Sequence, residues 1–209
     1  MTFAVNALRI LRWRRRVRLL AGVSLALLCA LLLAACGPSE VAESEGGQDI
    51  VASTRADLIP AEWTATDYGV PLSLDNLSQF LDWSDSIQLS SAENRTYESA
   101  LKGVPTPCCD DHMLFSCCCE NDGLSCNLVR SGKGLAAHLV HNRGYGVQDV
   151  KDALLEWMRF ARPDYYIAKE LTNKRLDPEA YGLTTYGSCY RGMCNTSIAK
   201  GGCGGMERI

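Results

Sequence analysis

The sequence predicts a small, mainly α-helical domain with irregular loops that carry cysteines. Three observations favour this fold class. Two stretches place apolar residues at three- and four-residue spacing, which is typical of helices that bury one face. No alternating, strand-like pattern appears over residues 57–104, and nine cysteines after residue 36 fall in two polar, loop-like groups.

The strongest pattern predicts an antiparallel helical hairpin within residues 127–160. The first helix, 127–141, turns Leu128, Leu135 and Leu139 inward. The second, 147–160, has its apolar residues at helical spacing, namely Val147, Val150, Leu154, Trp157 and Met158. The turn Gly144-Tyr145-Gly146 joins them, and two helices with so short a connection pack antiparallel.

Shorter helices are predicted around this hairpin. One begins near Asp75 and carries Leu77 and Phe80 on its apolar face. Others are expected over residues 92–102 and 165–171, with Pro163 ending the second hairpin helix. The domain as a whole is predicted to span residues 57–209, and its last part, 179–209, is a glycine- and cysteine-rich tail.

The first 35 residues have the composition of an export signal. Their basic residues lie at the start, and no acidic residue accompanies them: Arg9, Arg12, Arg14, Arg15, Arg16 and Arg18. Leu19–Ala35 is then almost wholly apolar, as in the hydrophobic region of a signal peptide. A membrane-spanning helix is the alternative, although about 17 residues barely cross a hydrocarbon core of ~30 Å.

The end of this apolar stretch, Leu33-Ala34-Ala35-Cys36, resembles the lipobox of bacterial lipoproteins. The resemblance implies cleavage before Cys36, diacylglycerol on its thiol, and an extracytoplasmic protein held by lipid at the cytoplasmic membrane or the outer membrane. Residues 36–56 are acidic and polar and are predicted to be a flexible tether. An ordinary signal peptide with a chance cysteine is the alternative, and the sequence leaves the Sec and twin-arginine export routes open.

Removal of the signal leaves a strongly acidic chain. The full sequence has 21 basic and 24 acidic residues, and the part from Cys36 onward has 15 and 24, a net charge of −9. Such a charge opposes binding to nucleic acid or to an anionic bilayer surface. We therefore expect a membrane partner through the lipid anchor and no nucleic acid, and an envelope protein is a candidate partner.

The first cysteine group lies between residues 105 and 126. Its members are Cys108, Cys109, Cys117, Cys118, Cys119 and Cys126. Thiolates are soft ligands that bind copper(I) or zinc, but the C-x-x-C spacing of common zinc sites is absent. Adjacent cysteines occur in disulfide scaffolds and in polynuclear copper(I) clusters. Structural disulfides, metal binding and thiol redox exchange therefore all stay open.

Other candidate ligands lie beside this group and in the tail. His112 lies inside the loop and is a possible mixed-site ligand or a solvated side chain. The tail carries Cys189, Cys194 and Cys203. The simpler prediction is a disulfide, either between Cys189 and Cys194 or between the tail and a cysteine of the first group. The more specific prediction is a metal ion that both groups bind together.

The absence of several motifs argues against the chemistries that depend on them. It has no C-x-x-C-H for covalent haem, no phosphate-binding loop for a nucleotide, no G-x-S-x-G and no H-E-x-x-H. We assign no catalytic residue and do not predict an enzyme.

Two family resemblances concern the cysteine loop and the hairpin. Lipobox, polar tether, Pro107-Cys108 and a helical hairpin in this order resemble the PCYCGC-motif lipoproteins, although Cys109 stands where that family has tyrosine. This implies an exported, lipid-anchored, cysteine-rich protein. The layout from Cys126 through residue 160 is similar to the helical hairpin of cytochrome c maturation thiol reductases, but the C-x-x-C of that family is missing, so no redox role is carried over.

The function predicted from these features is a lipid-anchored extracytoplasmic protein that binds soft metal ions, copper or zinc, through thiolates. Cys117, Cys118, Cys119 and Cys126 are the first ligands expected, followed by Cys108 and Cys109. The alternatives are a thiol-disulfide exchange factor of envelope assembly and a disulfide-stapled structural or protein-binding lipoprotein.

Overall fold

The computed structural model describes residues 45–109, 112–117 and 123–208. These residues form a mainly helical domain with cysteines in its loops, as predicted. The helices are α1 (Glu45–Leu58), α2 (Leu77–Ser86), α3 (Ser91–Leu101), α4 (Asn127–Arg143), α5 (Val147–Ala161) and α6 (Pro163–Asn173). Two short strands, β1 (Leu124–Cys126) and β2 (Met206–Arg208), and 3-10 helices at Leu74–Asn76, Pro178–Tyr181 and Ile198–Lys200 also form.

Helix α4 runs through the core and packs against α2, α3 and α5. Leu128, Leu135 and Leu139 on it are fully buried. Helix α2 approaches α4 so closely that a Cβ at Gly134 would lie 1.8 Å from the carbonyl oxygen of Phe80. Glycine at this position therefore permits the contact between the two helices.

The predicted hairpin of α4 and α5 is present. Helix α4 ends at Gly144, whose φ of 66° is the left-handed conformation that favours glycine. The indole nitrogen of Trp157, near the end of α5, donates to the hydroxyl of Ser131, near the start of α4, at 3.0 Å. The end of one helix thus contacts the beginning of the other, and the pair is antiparallel.

The shorter helices lie close to their predicted positions, and α6 extends two residues beyond the predicted range at each end. Helix α3 begins at a capping box in which Ser90 and Glu93 each accept a hydrogen bond from the other's backbone amide. Pro163 follows the end of α5 as predicted, but it also occupies the first turn of α6. Proline suits this position because the first helical amides need no partner within the helix.

The C-terminal tail is anchored to the start of α4 by a small sheet that the sequence did not predict. Strands β1 and β2 pair antiparallel, with Cys126 opposite Met206. The backbone amide of Leu128 donates to the carbonyl of Cys203 at 3.1 Å, and the side-chain amide of Asn127 donates to the carbonyl of Gly204 at 2.8 Å. These bonds order a segment that has few apolar residues of its own.

A buried arginine adds to this anchoring. Arg130 on α4 forms a bidentate pair with Asp85 on α2, at 2.7 and 2.8 Å, and pairs with Glu207 on β2. Its side chain is buried while both carboxylates are exposed. One guanidinium thus joins α2, α4 and the tail.

The predicted export segment, including Cys36, lies outside the described residues. The predicted tether, residues 36–56, is wrong for its second half, because residues from Glu45 onward form α1. Thr54 is buried and Arg55 pairs with Asp164 on α6 at 2.7 Å, so tertiary contacts stabilise a helix that the acidic composition did not suggest. None of the helices in the described part of the chain has the length and apolar character needed to cross a bilayer.

Candidate metal centre

The first cysteine group is positioned by a loop that folds back on itself between α3 and β1. The backbone amide of Thr106 donates to the carbonyl of His112 at 3.0 Å, and its hydroxyl lies 3.0 Å from the carbonyl of Cys109. Leu114, fully buried, donates its amide to the carbonyl of Val104 at 2.9 Å. These contacts hold Cys108, Cys109 and Cys117 at buried positions.

Three sulfurs of this loop form a buried triad. The Sγ atoms of Cys108 and Cys117 lie 3.8 Å apart, those of Cys108 and Cys109 also 3.8 Å, and those of Cys109 and Cys117 3.3 Å. All three lie within 4.8 Å of one another, a range in which one metal ion can contact each of them. Cys109 is not among the cysteines with a reduced thiol, so we count only Cys108 and Cys117 as candidate ligands here.

Cys126 joins this triad from the last position of β1, directly before α4. Cys126 is fully buried, and its Sγ atom lies 3.7 Å from the Sγ atom of Cys108. Four sulfurs that surround a metal ion tetrahedrally with bonds near 2.3 Å are separated by about 3.8 Å. The separations around Cys108 therefore match those of ligands that share one ion.

The tail contributes a second triad, formed by Cys189, Cys194 and Cys203. Their sulfurs also lie within 4.8 Å of one another, and those of Cys189 and Cys203 are 3.4 Å apart. The amide of Cys203 donates to the carbonyl of Met193 at 3.2 Å, which closes the tail around the triad. The glycine-rich tail thus folds so that its three cysteine sulfurs lie close together.

The two triads meet at Cys108. Its thiol lies within hydrogen-bonding reach of Cys117, Cys126, Cys189 and Cys203. Cys203 reaches Cys126 as well as Cys108 and Cys189. Sulfurs from both cysteine groups therefore form one continuous set, which is buried except at Cys189.

The thiols of this set differ in acidity. Hydrogen bonds to Cys117, then to Cys126, Cys189 and Cys203, together with burial, raise the pKa of the Cys108 thiol well above its ordinary value. Hydrogen bonds from Cys108 and then Cys117 lower the pKa of Cys126, and those from Cys108 and then Cys126 lower the pKa of Cys203. Cys126 and Cys203 therefore favour the thiolate that binds metal more than Cys108 does.

A buried guanidinium lies beside the sulfurs. Arg162, between α5 and α6, is 3 % exposed. It donates to the hydroxyl of Ser188 and, at 3.4 Å, to the carbonyl of Gly202. Burial lowers the pKa of Arg162, and the negative charge of Cys203 and of Cys108 opposes that effect. Nothing in the sequence signalled this residue, because its partners lie in the distant tail.

Several predicted ligands come together, and others do not. Cys118 and Cys119 lie outside the described residues. His112 belongs to neither triad. The disulfide predicted between Cys189 and Cys194 is wrong, since both carry thiols and Cys189 lies against Cys203 and Cys108 instead. No two of the described cysteines are joined to each other by a disulfide.

Comparison of the chain with protein-family models, with curated proteins and with solved structures found no match. The chemistry of the site therefore rests on its own geometry. Sulfur donors at these separations, with no histidine or carboxylate in either triad, select soft metal ions over hard ones.

Proposed function

We propose that this chain is a lipid-anchored extracytoplasmic protein that binds soft metal ions, copper or zinc, through cysteine thiolates. One observation carries the metal part of the proposal. The thiol of Cys108 is surrounded by thiols from the same loop, from β1 and from the C-terminal tail. Thiols from distant parts of a chain rarely converge unless they bind metal or form disulfides, and here six of the described cysteines are thiols.

The localisation part rests on the N-terminal sequence. A basic start, an apolar stretch and Leu33-Ala34-Ala35-Cys36 support export and lipid attachment. Metabolic labelling of the full chain with palmitate tests this. We expect label on the wild type, no label on Cys36→Ala, and unchanged label on Cys29→Ala, whose cysteine lies inside the apolar stretch. Label that persists on Cys36→Ala would refute the anchor.

The metal part is tested by counting thiols together with metals. The protein is purified without chelator, alkylated before and after chelation, and weighed intact, with elemental analysis of the same sample. We expect at least four cysteines that alkylate only after chelation, with copper or zinc present. A protein with no metal and four disulfides would overturn the proposal.

Thiol-disulfide exchange is a second candidate, favoured by one specific observation. The sulfurs of Cys189 and Cys203 lie 3.4 Å apart, and the pKa of Cys203 is lowered by hydrogen bonds from Cys108 and Cys126. A low thiol pKa favours attack on a disulfide. This candidate predicts one cysteine pair that cycles between thiol and disulfide with a mild reductant, and the same alkylation experiment detects it.

A further inference from the structure

The two sulfur triads are in contact with each other. Cys108 of the first reaches both Cys189 and Cys203 of the second, and Cys203 reaches Cys126. A backbone hydrogen bond also joins the two segments, since the amide of Cys189 donates to the carbonyl of Cys108 at 3.0 Å. A metal ion placed at either triad is therefore next to sulfurs of the other.

The number of thiols exceeds what one tetrahedral ion uses. Such an ion takes four sulfurs. The contiguous set holds Cys108, Cys117, Cys126, Cys189 and Cys203, and Cys194 lies within 4.8 Å of the last two. Thiolates in excess of four find a role when they bridge several ions, and copper(I), which is soft and accepts few ligands, forms such bridged centres.

Arg162 is a buried positive charge that forms no salt bridge with any carboxylate of the described residues. The acceptors of its hydrogen bonds, Ser188 and Gly202, are uncharged. Asp164 is exposed and already paired with Arg55. A buried guanidinium left in this state is costly, so the fold is expected to supply an anion close to it. The candidates are the sulfurs of Cys203 and Cys108, which act on it more strongly than Asp164 does, and its hydrogen-bond acceptors Ser188 and Gly202 directly precede Cys189 and Cys203 in the chain.

We propose that the thiols of the two triads, together with Cys126, form one polynuclear copper(I)-thiolate centre and that Arg162 supplies its counter-charge. This inference rests on the proposed metal-binding function and adds the ion, the shared centre and the positioning residue. Bridging thiolates outnumber the copper ions, so the centre is anionic and pairs with the guanidinium. Each thiol that becomes a ligand releases its proton to solvent, and copper enters and stays as copper(I).

Disulfides at the same positions do not account for Arg162. A disulfide is neutral, and a tail closed by disulfides would leave the guanidinium buried beside uncharged sulfur. Two separate metal sites also fit the geometry less well, because Cys108 is within hydrogen-bonding reach of Cys189 and Cys203 in the second triad as well as of Cys126. The anionic shared centre satisfies both observations.

The shared centre is tested by titrating the full-length, reduced, metal-free protein with copper(I) under anaerobic conditions and recording native mass spectra. We expect two dominant species, one without copper and one fully loaded with more than one ion. Cys203→Ser is expected to abolish the loaded species. Stepwise, independent uptake, or a Cys203→Ser protein that keeps the copper of the first triad, would overturn the shared centre. A wild type that binds zinc but no copper(I) would also overturn the copper centre, whereas a wild type that binds neither metal would refute the proposed function.

The role of Arg162 is tested by copper(I) affinity, measured in competition with a chelating dye. Arg162→Gln keeps hydrogen-bond donors but removes the charge, and we expect an affinity ~10–100-fold lower, as for other residues that support metal ligands. Arg162→Lys should restore most of it. The control is Arg191→Met, which removes an exposed charge near Arg162 and should leave affinity unchanged. Equal loss in the Lys and Gln variants, or no loss in either, would contradict the counter-charge.

Discussion

The backbone amide of Cys189 donates a hydrogen bond of 3.0 Å to the carbonyl oxygen of Cys108. This bond joins the C-terminal tail to the cysteine loop and brings the sulfurs of the two segments within reach of one another. The tail is therefore part of the site. Its order should depend on the same contacts that assemble the sulfurs.

Cys108→Ser should weaken metal binding far more than Cys194→Ser. Cys108 contacts four other thiols, whereas Cys194 lies at the half-exposed edge of the second triad. We expect the first substitution to lower affinity by more than the ~10–100-fold caused by loss of a supporting residue, and the second by less. Competition with a chelator measures both. Equal effects would show that Cys108 is not central.

Gly187→Ala should separate the tail from the loop. A Cβ at position 187 would lie 2.4 Å from the carbonyl oxygen of Cys108, and backbone atoms on both sides must shift to accommodate it. We expect a destabilisation of about 1–3 kcal/mol, measured by urea unfolding, together with lower metal affinity. Gly146→Ala is the control, because its Cβ meets only a side-chain oxygen of Asp149 at 3.5 Å. Unchanged stability and affinity in Gly187→Ala would contradict the contact.

Gly134→Ala should destabilise the core, since its Cβ would lie 1.8 Å from the carbonyl oxygen of Phe80 on α2. We expect a loss of roughly 3 kcal/mol, even though alanine alone favours a helix by about 1 kcal/mol. Gly132→Ala, on the same helix, meets the flexible end of Met158 at 2.5 Å and should cost less. Thermal unfolding of both variants checks this. A larger loss in Gly132→Ala would mean that α2 and α4 are not so closely packed.

Glu93 should make the stability of the protein depend on pH. Hydrogen bonds from the side chain and backbone of Ser90 lower the pKa of Glu93 below its ordinary value of 4.5. A lowered folded-state pKa means that the stabilisation is present above pH 4.5 and is lost as the pH falls through the folded-state pKa.

Titration of the Glu93 carboxyl group by NMR measures this effect. Ser90→Ala removes the main cause and should return the pKa of Glu93 towards 4.5. Glu93→Gln keeps a capping side chain that does not titrate, so it should flatten the dependence of stability on pH in this range. A pKa that does not respond to Ser90→Ala would rule out the capping box as its cause.

The hairpin was predictable because its signals are local. Apolar spacing along residues 127–141 and 147–160 and a glycine at position 144 determine two helices and their turn without reference to distant residues. Helices with strong periodicity are therefore the part of this fold that sequence patterns describe well.

Features that depend on distant contacts were missed. Strands β1 and β2 have three residues each, too few for an alternating pattern, and they form because the tail returns to the start of α4. Helix α1 forms in a segment whose acidic composition is typical of a linker. Contacts with the rest of the domain, such as the ion pair of Arg55 with Asp164, stabilise it.

In the candidate site, too, the local features were predictable and the features that depend on distant contacts were not. Cysteine chemistry was evident from composition, and the contact of Cys108 with Cys117 and Cys126 agrees with the first predicted group. Its closure by the tail was only an alternative, and Arg162 was not foreseen, because a buried charge cannot be distinguished from a surface arginine by its local sequence.

X-ray absorption at the edge of the metal that co-purifies with the full-length protein tests the central claim most directly. It reports which atoms surround the metal and at what distance. A thiolate centre built from these cysteines predicts sulfur neighbours alone, at about 2.3 Å. A coordination shell of nitrogen or oxygen, or a protein purified without chelator that contains no copper or zinc, would contradict it.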